Sequence, residues 1–196
     1  MFHTPQFTKN KGFTLIEMLV TVAIFSLIIG TSVGLFVWGI RAQRYSLSSQ
    51  KILDQTSYAM EYMSRMLRMA RKDDLVGPSC LGLPAKKNYE VLSGGEELRF
   101  VKYDTYECWR FYLSPAGQLM VDQAGNVLPL TSPDLNVTFL QFVISGEKQP
   151  PPPTGDYFQP KVTISMEVEG KTMVFQQKPK IRIQTTISQR DLDVEE

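Results

Sequence analysis

The chain is poor in the side chains that metal and acid–base chemistry use. It has one histidine, His3, and two cysteines, Cys80 and Cys108. That pair lacks the close spacing of metal ligands. No His-Glu-x-x-His pattern, Gly-rich phosphate loop or Gly-x-Ser-x-Gly elbow occurs. Hydrolysis needs a positioned nucleophile with a base, or a metal. The sequence therefore offers no catalytic residue, no cofactor site and no metal site, and it reads as a non-enzyme. Excess charge of one sign is missing too: 21 basic residues face 20 acidic ones, a net of +1. Such a balance gives a nucleic-acid partner no support. Gly and Pro are absent from residues 41–72, and no long apolar run follows residue 40.

What is present is concentrated at the start. The length of 196 residues suits one folded domain plus an appendage. Residues 1–12 are polar, with Lys9 and Lys11 and no acid. Residues 13–40 are apolar and carry a single charge, Glu17. As a helix at ~1.5 Å per residue they extend roughly 42 Å, more than the ~20 residues a bilayer core requires. No small-residue cleavage site follows the apolar core, as it would in an ordinary secretory signal. Trp38 is placed as an interfacial anchor, with Arg41 and Arg44 just beyond it. The segment thus reads as a single pass through a lipid bilayer, with the short leader inside and the long C-terminal part across. On that side Cys80 and Cys108 have two readings, a disulfide or two buried thiols.

Gly12 before Phe13, followed by Thr-Leu-Ile-Glu and an apolar run, resembles the leader of type IV pilins and type II secretion pseudopilins. The resemblance covers about 30 residues. It implies that a prepilin peptidase cuts between Gly12 and Phe13 and that Phe13 is then N-methylated. It also places Glu17 at the glutamate that this family uses in assembly. The chemistry fits the residues. Gly12 lets an extended backbone enter a narrow site. The amine exposed at Phe13 offers a partner to a carboxylate that is costly in lipid, about 2.5–3.5 kcal/mol near the bilayer centre. Pairing between Glu17 and the amine of a neighbouring subunit would set the axial stagger of packed helices. Loss of Lys9 and Lys11 leaves 19 basic against 20 acidic residues.

Beyond residue 40 the pattern predicts that the helix continues. Ile52, Thr56, Ala59, Met63, Met66, Leu67 and Ala70 recur at three- and four-residue steps and define one face. Asp73-Asp74 and Gly77-Pro78 form the stop signal. One helix from Phe13 to about Lys72 follows, with Gly30 or Gly34 as a bend or a close-packing point. The methionines at 60, 63, 66 and 69 read as flexible core filler. Strand-like runs come next: Tyr89–Leu92, Glu97–Tyr103, Glu107–Leu113, Gln118–Val121, Val127–Leu130, Leu135–Ser145, Lys161–Glu169, Thr172–Gln177 and Lys180–Ile187. Pro150–Pro153 reads as a stiff exposed loop. Paired acids at Asp73-Asp74 and Glu96-Glu97 read as solvated caps or turns. Tyr103, Tyr106, Trp109, Phe111 and Tyr112 form an aromatic cluster whose default is core packing, any exposed subset marking an interface.

The expected class is α+β and pilin-like: a long N-terminal helix packed on an antiparallel β-sheet domain. Its divisions are a leader at 1–12, a membrane half at 13–40, an amphipathic half at 41–72 and a β-rich domain at 73–196. The segments at 62–72 and 183–192 resemble J-type minor pseudopilins, the first also W-type minor pilins. The resemblance implies a minor subunit at or near a filament tip in the inner membrane, supporting protein secretion. Its partners would be the prepilin peptidase, other minor and major pilins or pseudopilins, and an inner-membrane assembly platform. A minor pilin of a type IV pilus or DNA-uptake filament, a major subunit, and a signal-anchored ectodomain that never polymerises remain open at this point.

Overall fold

Leu15 opens α1, which runs unbroken as Leu15–Arg68. The computed structural model describes residues 12–73, 80–82, 87–146, 159–171 and 178–190. The chain divides into two units, Met1–Arg44 and Tyr45–Glu196. In the first unit α1 is long and apolar enough to cross a bilayer, and its large apolar side chains from Leu15 to Trp38 are exposed. That exposure suits lipid as solvent. Hydrocarbon offers polar groups no partner, so each must be satisfied internally. The hydroxyls comply: Thr21 donates to the Met18 carbonyl (2.9 Å), Ser26 to Val22 (2.8 Å), Thr31 to Ile28 (3.0 Å) and Ser32 to Ile28 (2.7 Å). Gly30 and Gly34 lie inside the unbroken helix, and a Cβ at either would meet nothing within 4 Å.

In the second unit the remainder of α1 buries Ile52, Thr56, Ala59, Met60, Met63 and Leu67. Their spacing is the three-and-four pattern of one helix face. Of the methionines, Met60 and Met63 are buried, Met66 packs at the core edge and Met69 is exposed. Among the described residues nine antiparallel strands follow: β1 (Ala70–Arg71), β2 (Tyr89–Leu92), β3 (Glu97–Lys102), β4 (Cys108–Leu113), β5 (Leu119–Gln123), β6 (Asn126–Pro129), β7 (Leu135–Ser145), β8 (Lys161–Gly170) and β9 (Lys180–Ser188). They form two sheets rather than one. In the first, β1 and β2 both pair with β3, which continues through β4 and β5 to β6. The second has the order β7-β8-β9. The helix stripe shares one core with Phe100 and Phe111 of the first sheet and with Phe142, Ile164 and Met166 of the second.

Two local devices set the register. The two-residue turn at Ala124-Gly125 has positive φ at both positions (52° and 98°), the twist that a tight hairpin requires. In β7 the pairing shifts between Val137 and Phe139. This bulge changes the phase of alternation, so Leu135 and Val137, and then Leu140 and Phe142, all face the core.

The helix ends at Arg68, short of the expected Lys72, and Ala70–Arg71 joins the sheet opposite Lys102 and Val101. The cause is non-local. A helix terminus leaves its last carbonyls without partners, and here most of the donors come from distant parts of the chain. The Met69 N–H bonds the Met66 carbonyl (3.1 Å), and Arg190 N–H bonds that of Arg68 (2.8 Å). Tyr103 N–H bonds the Met69 carbonyl (3.0 Å). The Tyr89 hydroxyl donates to the Leu67 carbonyl at 2.7 Å, and burial pushes that phenol well above its ordinary range. Asp73 also departs from expectation. It is buried, and its carboxylate accepts the N–H groups of Cys80 and Leu81, both at 3.0 Å. β8 pairs directly with β9. The strand expected at 172–177, the proline loop at 150–153 and the leader at 1–11 fall outside the described residues.

Two outcomes follow. Tyr89→Phe leaves the Leu67 carbonyl without its donor and lowers unfolding free energy by about 1–3 kcal/mol, measured by denaturant titration. Cys80 and Cys108 are joined in a disulfide that closes 28 residues of sequence, with Cα atoms 5.4 Å apart. Paired serine substitution there lowers stability by about 3–4 kcal/mol on the chain-entropy relation, and reductant shifts the melting temperature of the native protein but not of the serine pair.

Candidate functional site

Gly12, Phe13 and Thr14 precede the helix, are not helical and are exposed. The first turn of an α-helix has N–H groups without partners and a partial positive charge. Thr14 and Glu17 answer both needs. The Glu17 N–H donates to Thr14 Oγ1 at 3.3 Å. In return the Thr14 N–H donates to Glu17 Oε2 at 3.1 Å, and the Thr14 hydroxyl donates to the same oxygen at 3.1 Å. This reciprocal arrangement is a capping box, Thr-x-x-Glu. The Thr14 carbonyl already accepts the Met18 N–H (3.2 Å). Both Thr14 bonds fall on Oε2, so Oε1 keeps its lone pairs for a further donor.

Thr14 is the residue that the sequence reading missed. Its signal was available, because Thr14 stands three residues before Glu17 at the start of an apolar run. Gly12 also gains definition. A Cβ placed on Gly12 meets nothing within 4 Å among the described residues, so their packing does not require glycine there.

The other candidate residues sit elsewhere and do not converge. Glu97 is bound by Arg99 at 2.9 Å and approached by Arg110 at 3.6 Å, and Arg110 also pairs with Asp122 at 2.9 Å. This network lies along one face of β3, β4 and β5, so Glu97 is a paired acid rather than a solvated turn. Glu96 is exposed. Among the described residues no group of three or more metal-ligating side chains is brought together. The aromatic cluster splits. Trp109 and Phe111 are buried, and Phe111 stacks on Phe100 at 5.4 Å. Tyr103 and Tyr106 remain 55% and 63% exposed.

Thr14→Ala removes the partner of the Glu17 N–H at a cost of about 1 kcal/mol. Amide hydrogen exchange in lipid nanodiscs should quicken roughly fivefold at residues 15–18 and stay unchanged in the β-strands.

The family described as the prokaryotic N-terminal methylation motif matches residues 7–33. That span contains Gly12, Phe13, Thr14 and Glu17 and the apolar helix as far as Val33. No curated protein and no solved structure matches the chain. The motif points to a structural protein processed at its N-terminus rather than to an enzyme. Together with the long apolar helix and the antiparallel sheets that follow it, the motif supports a type IV pilin-like protein.

Proposed function

We propose that the chain is a minor pseudopilin of a type II secretion-like system, of the J type. It is held in the inner membrane by a single pass with its β-rich unit outside the cytoplasm. Prepilin peptidase cuts between Gly12 and Phe13 and methylates the Phe13 amine. The mature subunit then joins other minor and major subunits at or near a filament tip, drawn from the bilayer by an assembly platform. The observation that carries this reading is the exposed Gly12-Phe13 peptide set directly before the Thr14–Glu17 capping box, inside the matched methylation motif.

Glu17 has two successive tasks in this reading. In the free subunit, Thr14 supplies hydrogen bonds that lower the cost of a carboxylate in lipid. In the filament, Oε1 accepts from the Phe13 amine of a neighbouring subunit and sets the stagger between helices. The J-type assignment draws on the sequence at Tyr62–Lys72 and Ile183–Leu192. A minor pilin of a type IV pilus or DNA-uptake filament shares the processing and differs in the filament that contains it.

Mass spectrometry of the mature N-terminus tests the processing. The expected product begins with methylated Phe13, and Gly12→Ala abolishes it while leaving the fold intact. An intact Met1 in cells with a working filament would overturn the reading. Glu17→Val is expected to insert and be cleaved normally yet to be depleted from sheared filaments by about tenfold or more, the loss of a charge-assisted contact. Normal incorporation would remove the role given to Glu17.

A further inference from the structure

A cavity of ≈ 440 Å³ opens at the end of α1, lined by Arg68, Met69, Ala70, Tyr103, Asp104 and Arg190. It lies wholly within the second unit. Its two arginines come from opposite ends of that unit's sequence, one from the last turn of α1 and one from just past β9. The Arg190 N–H to Arg68 carbonyl bond holds them together at 2.8 Å.

Basic side chains in a last helical turn commonly serve the terminal carbonyls. Here that work is done by other groups. The Met66, Leu67, Arg68 and Met69 carbonyls take donors from Met69, Tyr89, Arg190 and Tyr103. Neither the Arg68 nor the Arg190 guanidinium pairs with a described carboxylate. The one acid in the lining, Asp104, is bonded to Lys102 at 3.1 Å. That hydrogen bond outweighs the opposing effect of burial and holds the carboxyl below its usual range. Among the described residues, then, the two planar cations of the cavity have no carboxylate partner, and each is shaped for bidentate contact with one.

The rim adds apolar and aromatic surface. Tyr103 and Met69 are exposed. Next to them, in the β3–β4 loop, Tyr106 has φ of 58°, a conformation rare for bulky residues. It is held there by the bond from its N–H to the Lys102 carbonyl (3.0 Å) and by the Arg71 guanidinium 4.0 Å from its ring centre. The same Arg71 guanidinium lies 5.8 Å from the ring centre of Tyr103, which does line the cavity, so the strained loop is tied to the rim through Arg71. Such strain persists where the surroundings over-determine it, commonly at binding sites. Arginine, tyrosine and methionine are also the residues enriched where proteins bind proteins. A small inorganic anion would use the arginines and leave the aromatic rim idle.

We infer that this cavity is a docking site for an acidic peptide segment of a partner protein, with Arg68 and Arg190 holding its carboxylates and Tyr103 packing against its backbone. The inference does not rest on the filament reading; it needs only the folded second unit.

The test uses the full-length protein in nanodiscs of uncharged phosphatidylcholine, with a fluorescein-labelled hexaglutamate peptide followed by anisotropy. Hexaglutamate is expected to saturate the protein and hexaglutamine not to bind. The paired variant Arg68→Gln/Arg190→Gln should weaken binding by about tenfold or more, since each tenfold corresponds to loss of about one charge-assisted contact. Arg99→Gln, which alters an arginine already paired with Glu97 outside the cavity, should leave binding within about twofold, as expected for a site away from the contact. Should the glutamine pair fail to fold by circular dichroism, Arg68→Lys/Arg190→Lys and Tyr103→Ser carry the test, each with weakened binding expected. No binding, equal binding of hexaglutamine, or unchanged affinity in the cavity variants would overturn the proposal. So would displacement of the peptide by inorganic phosphate beyond that by chloride at equal ionic strength, which would make the cavity a small-anion site.

Discussion

The last turn of α1 organises the second unit. A helix must end with carbonyls that lack helical partners, and burying them unpaired is costly. Here the donors come from β2 through Tyr89, from the end of β3 through Tyr103, and from the chain beyond β9 through Arg190. One local requirement thereby brings three distant stretches of sequence to one place. The early helix stop, the short β1 strand beside β3 and the arginine-lined cavity are consequences of that convergence.

The other end of α1 meets the same requirement by opposite means. Thr14 and Glu17 satisfy each other across one turn, and the serines and threonines of the apolar stretch bond carbonyls within four residues. In a segment long and apolar enough to cross a bilayer this local pairing matters, because hydrocarbon supplies neither donors nor acceptors. The local solution also leaves the Gly12-Phe13 peptide exposed outside the helix. The processing proposed at that peptide needs such accessibility, and a fold that used Gly12 for packing would deny it.

How much was legible follows from this contrast. The core stripe at Ile52, Thr56, Ala59, Met63 and Leu67 was visible because helix periodicity is a local property of sequence. The boundaries of β2 and β7 were visible for the same reason, since alternation and turn residues bracket them. The phase shift inside β7 was not, because a bulge is decided by which residues the opposite strand and the core accept. Asp73 looked like a solvated stop signal. Only the returning chain at Cys80 and Leu81 makes it a buried acceptor. The aromatic run from Tyr103 to Tyr112 read as a single cluster, yet strand alternation buries Trp109 and Phe111 and the loop before them leaves Tyr103 and Tyr106 exposed.

The sequence by itself determined the apolar helix, the motif at residues 7–33 around Gly12 and Phe13, and the Thr14–Glu17 pair. These depend on interactions spanning at most four residues, and such interactions are written in residue order. Tertiary structure alone decided where the helix stops, how the strands divide into two sheets, that Cys80 meets Cys108, and that Arg68 and Arg190 share a cavity. Each of these depends on groups far apart in the chain. Their meeting is set by the burial of one helix face against two sheets and by the pairing of polar groups that burial would otherwise strand.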